Sequence, residues 1–134
     1  VTINEDEELR LLYRIIDANL NRLKEGIRVI EDIYRFFYNK QKSAKALKEL
    51  RHLATIENYD KLLDARDIQN DVLKKSLNSE NIRRNVTDIL ISNFKRAEEA
   101  SRVLEEIFKI IDMQQSEKFK SIRYTLYNLE KIAE

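Results

Sequence analysis

The chain has 134 residues, 25 basic against 24 acidic, with a formal net charge of +1, one glycine, no proline and no cysteine. The length suits one domain around one core, and the missing cysteines exclude disulfides, thiolate metal sites and cysteine nucleophiles. Balanced charge gives no general drive toward nucleic acid or an anionic membrane; no apolar run approaches the roughly 18 residues of a bilayer span, and the acidic start Val1 to Arg10 is unlike a secretory signal, so the expected compartment is the cytoplasm.

Asn4 followed by Glu7 reads as an N-cap with its capping-box partner. Ile16, Leu20, Leu23, Ile27, Ile30, Tyr34 and Phe37 then recur at spacings of three and four, the apolar stripe of a helix from about Glu5 to Tyr38. The next helix fits Ser43 to about Asp60, with Ala46, Leu47, Leu50, Leu53 and Ala54 inward. Asp64 to Ser79 is polar and weakly periodic and reads as the longest loop. Ser79 is placed to cap a third helix with Ile82, Val86, Leu90, Phe94, Ala97, Leu104, Phe108 and Ile111 as its stripe. Ser116 is placed to cap a fourth, with Phe119, Ile122, Leu126 and Leu129 inward. Helices of about thirty residues would run about 45–50 Å, long for one small domain, which points to a kink or a homodimer interface.

The first and third helices align at an offset of 74: Asn19, Arg22, Glu25, Arg28, Val29, Glu31 and Ile33 match Asn93, Arg96, Glu99, Arg102, Val103, Glu105 and Ile107, seven identities in fifteen positions. The second and fourth align at an offset of 72, where Lys48 and Arg51 match Lys120 and Arg123. The chain is therefore expected to be an all-α four-helix bundle of two duplicated hairpins, about 12–60 and 86–132, related by a pseudo-twofold axis. Core positions vary between the copies (Leu23/Ala97, Ile27/Ser101) while polar ones are kept, the reverse of what packing alone would select.

With one glycine, neither a Walker loop nor a dinucleotide fold is available, so phosphate must be gripped by side chains, chiefly Arg and Lys. The steps of three through Asn19, Arg22, Glu25 and Arg28 allow two readings. One is a surface ladder of pairs, each stabilising the helix by about 0.2–0.5 kcal/mol. The other, if the two motif helices face each other, is a convergent set of four arginines and two glutamates. Gly26, with Ala100 as its counterpart, marks close approach of a backbone or of a ligand. Asp17, whose counterpart is Ile91, and Arg14, Arg66, Asp67 and Asp71 lie outside the repeat and could orient an asymmetric substrate. His52, the only histidine, cannot form a zinc site by itself.

The run Arg14-Ile-Ile-Asp17-Ala-Asn19-Leu-Asn21-Arg22, then Glu25-Gly26-Ile-Arg28-Val-Ile-Glu31-Asp32, resembles the small hydroxymethylpyrimidine-phosphate kinase family, found alone or fused ahead of thiamin-phosphate synthase. Leu50-Arg51-His52, Ala65-Arg66-Asp67 with Asp71-Val72, Asn93 to Glu106, and Ile122-Arg123-Tyr124 extend the resemblance over about Leu12 to Glu130. The family often has Gly after the Asp-Val of the loop, where this chain has Leu73. The resemblance implies transfer of the γ-phosphoryl group of ATP to hydroxymethylpyrimidine monophosphate, with Mg²⁺, and a functional link to thiamin-phosphate synthase. On that reading Arg22, Arg28, Arg96 and Arg102 bind phosphates, and Arg51 and Arg123 close the ring. Glu25 and Glu99 hold Mg²⁺ or orient arginines. Asp17, Asn19 and the matching Asn93 recognise or position the acceptor, and Arg66, Asp67 and Asp71 belong to a closing loop. An all-α nucleotide pyrophosphohydrolase would need a denser acidic cluster; a non-catalytic helical interaction module would need no small-molecule pocket.

Overall fold

A computed structural model describes residues 3–75 and 82–132. Among them there are helices and no strands: α1 (Glu5–Asp32), running on into a π-helical turn (Ile33–Phe37), α2 (Gln41–Leu53), α3 (Tyr59–Ala65), α4 (Val86–Ile111) and α5 (Met113–Ile132). None is long and apolar enough to cross a membrane.

Helix starts follow side-chain chemistry. Asn4 Oδ1 accepts from Glu7 N at 2.8 Å, and Asn85 Oδ1 accepts from Asp88 N at 2.9 Å, each occupying an orphan donor of the first turn. The cap expected at Ser79 lies outside the described residues; the third long helix begins at Val86. Ser116 is not a cap. It lies inside α5 with its hydroxyl donating to Glu105 O at 2.8 Å, and Asp112 Oδ1 accepts from Gln114 N instead. The second helix also stops at Leu53 rather than near Asp60, and Tyr59–Ala65, partly assigned to the loop by its polarity, forms a helix of its own that buries Leu62 and Ala65. Two apolar contacts per seven residues are too weak a period to read in advance.

The helical backbone of α1 does continue to Phe37, through a π turn in which Tyr38 N donates to Ile33 O, but the buried stripe ends at Tyr34 and Phe37 is exposed. The chain then reverses at Asn39, φ 54°, where asparagine supplies the left-handed conformation that a glycine usually provides after a helix.

Helices α1 and α4 pack against each other at the centre; α2 and α3 lie on α1, and α5 lies on α4. Gly26 faces Asn93 and Ala97, whereas Asn19 and Arg22 share a cleft wall with Glu99, Ala100 and Val103. Sequence numbers thus rise along one helix as they fall along the other, an antiparallel crossing that fits the pseudo-twofold expectation. The buried stripe (Ile16, Leu23, Ile27, Ile30, Ala97, Leu104, Phe119, Ile122, Leu126) forms one continuous core, with Phe108 and Phe119 stacked at 5.5 Å.

Gly26 serves the helix crossing: a Cβ there would stand 3.3 Å from Asn93 O and 3.4 Å from Ala97 Cβ. Gly26→Leu forces the helices apart and should cost about 1–3 kcal/mol, measured by urea denaturation. A stability equal to wild type would show that α1 and α4 do not approach this closely.

The repeat also fixes each hairpin internally. Glu31, 2% exposed, receives Arg51 Nε at 2.7 Å, and Glu105, 4% exposed, receives Arg123 Nη2 at 2.9 Å. These are corresponding residues of the two copies, and each pair bolts the second helix of a hairpin onto the first. The offset falls from 74 to 72 because α4 and α5 are joined by Asp112 alone, two residues fewer than the 38–40 that join the π turn to α2.

One carboxyl in the α4–α5 interface is perturbed. Burial first, and then the neighbouring Glu130 carboxylate, push the Glu98 acid up to about 7 against the pull of Lys95. Its Oε2 is buried with no donor; protonated, Glu98 hydrogen-bonds Glu130 instead. The neutral form is favoured in the fold, so this group's contribution to stability is full below about 4.5, falls as pH rises through 7, and is flat above. Glu98→Gln should therefore leave stability nearly unchanged at pH 4.5 and raise it by about 1–3 kcal/mol at pH 8, read as a melting-temperature gain that grows with pH. A gain independent of pH would contradict the assignment.

Candidate functional site

α1 carries two neighbouring clefts on one side. The first, about 750 Å³, is lined by Leu11, Arg14, Ile15, Asp17, Asn19, Arg22 and Glu25 from α1 and by Arg66, Asp67, Ile68 and Asp71 from the segment after α3. The second, about 830 Å³, is lined by Arg96, Glu99, Ala100 and Val103 from α4 and by Gln69, Leu73 and Lys74. Asn19, Arg22, Ile68 and Asp71 line both. The result is a two-chambered groove with a shared wall, and both copies of the repeated arginine border it.

The segment after α3 is tied down at its start. Arg66 makes a bidentate pair with Asp17, Nε to Oδ2 at 2.8 Å and Nη2 to Oδ1 at 2.7 Å, and Arg14 Nη2 donates to Asp67 O at 3.0 Å. Asp17 is only 5% exposed, and its hydrogen bond holds the Arg66 guanidinium above its ordinary range. The Asp67 carboxylate accepts Asn70 N at 3.1 Å and Asn70 Nδ2 at 2.6 Å, bonds that hold it below the usual carboxylate range. Asp71 Oδ1 likewise accepts Leu73 N at 3.0 Å. Asp17 and Asp67 thus shape the groove wall; in this geometry their oxygens are occupied by protein donors.

Arg22 and Arg96 differ from the other arginines of the motif. Neither is paired to a carboxylate among the described residues; Arg22 Nη1 is 3.5 Å from Asn19 Oδ1. The expected ladder of steps of three does not form as ion pairs. Arg28 turns to Asp32 at 3.3 Å, and Arg102 to Glu105 and Glu106 at 3.3 and 3.1 Å, with both arginines 54% exposed. The six-arginine ring is likewise not assembled. Arg28 and Arg102 drift out of the groove because three residues fall short of a helical turn, and Arg51 and Arg123 are held by Glu31 and Glu105. Asn19 and Asn93 keep their symmetry, each donating Nδ2 to the carbonyl four residues back, Ile15 O at 3.0 Å and Ile89 O at 2.8 Å.

Glu25 lines the first chamber and Glu99 the second, so the two expected metal ligands are divided between them. Among the described residues no three His, Cys, Asp or Glu side chains gather to hold a metal ion. Lys74, Gln69 and Ile68 in the groove wall were not legible from the sequence, because they lie in an aperiodic segment outside the repeat.

The ThiD2 family's sequence profile matches residues 14–132, nearly all of the chain and all of the groove except Leu11. The chain is 41% identical to a thiamine-phosphate synthase of Synechocystis sp. over 120 residues, 89% of this chain and 35% of that protein. It is 38% identical to one of Nostoc sp. over 122 residues, 90% of this chain and 35% of that protein, and 35% identical to one of Prochlorococcus marinus over 127 residues, 94% and 36%. It spans about a third of the length of these relatives. No solved structure matches. The duplicated motif and the α3 segment that together build the groove fall within the profile, and the chain belongs to the ThiD2 family.

Proposed function

We propose that this chain is an ATP-dependent kinase of thiamin biosynthesis that converts hydroxymethylpyrimidine monophosphate to the diphosphate. The observation that carries the reading is the pair of repeat-related arginines, Arg22 and Arg96, bordering a two-chambered groove without carboxylate partners among the described residues. Two chambers with a common wall suit two anionic ligands that must meet. Arg22, common to both chambers, neutralises charge where donor and acceptor approach; Arg96 and Lys74 grip the ligand of the second chamber. Arg66, oriented by Asp17, lies at the rim of the first.

The acceptor is already a phosphate oxyanion. One of its oxygens attacks the γ-phosphorus of ATP, the bond to the β–γ bridging oxygen breaks, and ADP leaves. No proton has to be removed from the nucleophile, so no general base is needed, and His52, the one histidine, does not line the groove. Catalysis is then alignment and charge neutralisation. For Mg²⁺ the residues fit a shared site and not a closed cage, since this ion usually takes one or two protein carboxylates and completes its shell with phosphate and water; Glu25, Asp71 or Glu99 would serve. When bound, the ion would neutralise the donor's phosphates.

The test is ADP release with ATP, Mg²⁺ and hydroxymethylpyrimidine monophosphate, beside the unphosphorylated alcohol. Turnover of the monophosphate alone is expected, because the alcohol lacks the anion the arginines grip. The relatives' name favours a second reading, a share in the synthase reaction itself. Pyrophosphate release from the pyrimidine diphosphate, with no ADP released in the first assay, would select it.

A further inference from the structure

A third cleft, of about 590 Å³, opens where the π turn meets α2. Its lining includes Arg35, Lys45 and Lys48, with Asn39, Gln41 and Glu31. It shares no lining residue with the groove, and Arg35 stands 13 residues beyond Arg22, about 20 Å along the helix axis. None of the three cations is paired to a carboxylate among the described residues; Arg35 Cζ lies over the Phe36 ring, 4.8 Å from its centroid. The single carboxylate in the lining, Glu31, is 2% exposed and already taken by Arg51.

Three uncompensated cations around one concavity repel one another, and the repeat shows that the fold does not require them. In the second hairpin Lys109, the counterpart of Arg35, is neutralised by Glu106 at 2.7 Å, and the counterpart of Lys45 is Glu117, beside Lys120. The second hairpin thus carries a mixed set of charges at the corresponding positions, and the first carries cations only. The first turn of α2 adds to the field, since Lys40 provides no side-chain cap for the leading N–H groups of the helix.

We infer that the cleft formed by Arg35, Lys45 and Lys48 is a second anion site, separate from the groove, for a small phosphate or diphosphate. This assignment is independent of the kinase reading. It is tested by titrating the full chain with inorganic pyrophosphate at constant ionic strength and following backbone amide shifts. The expected result is saturable shifts at Gln41, Lys42 and Ser43 in the millimolar range or below, distinct in their affinity from shifts at residues 68–74 of the groove. Lys45→Glu with Lys48→Glu should weaken the first set at least tenfold and change the second less than twofold; Lys45→Gln with Lys48→Gln, which removes charge without reversing it, should weaken the first set to a smaller extent. The proposal is overturned if amides 41–43 do not shift up to about 10 mM pyrophosphate, an affinity too weak to matter. It is also overturned if sodium chloride of equal ionic strength reproduces the shifts, or if both double variants keep wild-type affinity at those amides.

Discussion

Replacing either Arg22 or Arg96 with alanine is expected to lower turnover of the pyrimidine monophosphate at least a hundredfold while the circular dichroism spectrum stays unchanged. The size follows from removing a preoriented, charged donor from a site whose chemistry is charge neutralisation, worth about 3–4 kcal/mol in comparable cases. The fold survives because neither side chain has an ion-pair partner to strand among the described residues. The two substitutions should differ in kind. Arg22 lines both chambers and Arg96 only the second, so Arg22→Ala should raise KM for both substrates and Arg96→Ala for one. The substrate whose KM responds to Arg96→Ala is the one bound in the second chamber. Lysine at either position should restore part of the rate, since it returns a point charge without the guanidinium fork. Near-normal rates in both alanine variants would remove the groove as the reaction site.

The largest stability effect is expected at Glu105. Arg123 lays Nε and Nη2 on Glu105 Oε1 at 3.2 and 2.9 Å, and its guanidinium lies over the rings of Tyr124 and Tyr127. Only 11% of the Arg123 side chain and 6% of the Glu105 side chain is exposed. Burial alone would pull the arginine down, but the bonds to Glu105 and Tyr127 outweigh it and the net shift is upward. Glu105→Ala leaves that buried charge without its partner and should cost about 3–4 kcal/mol, a fall in melting temperature of roughly 10 °C. Glu31→Ala should cost less, because Arg51 is 18% exposed and can turn to water. Replacing Glu105 and Arg123 together with leucine should recover most of the loss, since a buried ion pair adds little over well-packed apolar groups. A loss under about 1 kcal/mol in Glu105→Ala, with no coupling to Arg123 in a double-mutant cycle, would show that the pair does not bolt α5 to α4.

This second prediction also revises what the repeat means. Identical polar residues in the two copies serve two separate ends. Arg22 and Arg96, with Asn19, border the groove; Glu31 with Arg51, and Glu105 with Arg123, are the fastenings of the hairpins. From the sequence both sets are polar residues repeated in the two copies at helical spacing. They separate only when the partner helix is present, because a charge 2–6% exposed must be paired by whatever packs over it, and an exposed charge facing a cavity need not be.

Several features were determined by the sequence alone. The helical class follows from periodicity and from the near absence of glycine and proline. The duplication follows from the matched offsets, the cap at Asn4 from local chemistry, and the selection of Arg22, Arg96 and the Asp17–Asp71 group, which line the groove, from the motif. Each depends on residues close together in the chain or on direct comparison of two stretches. Tertiary structure decided the rest. It separated Tyr59–Ala65 from α2, moved Ser116 from a cap to a buried donor onto Glu105 O, assigned Gly26 to the α1–α4 crossing, and turned Arg28 and Arg102 outward. It also joined Asp17 to Arg66 across 49 positions and brought Lys74 to the groove. The reason is common to all of these: a helix of 3.6 residues per turn specifies which residues share a face, while what that face meets is set by the antiparallel crossing of α1 and α4, and no local pattern encodes it.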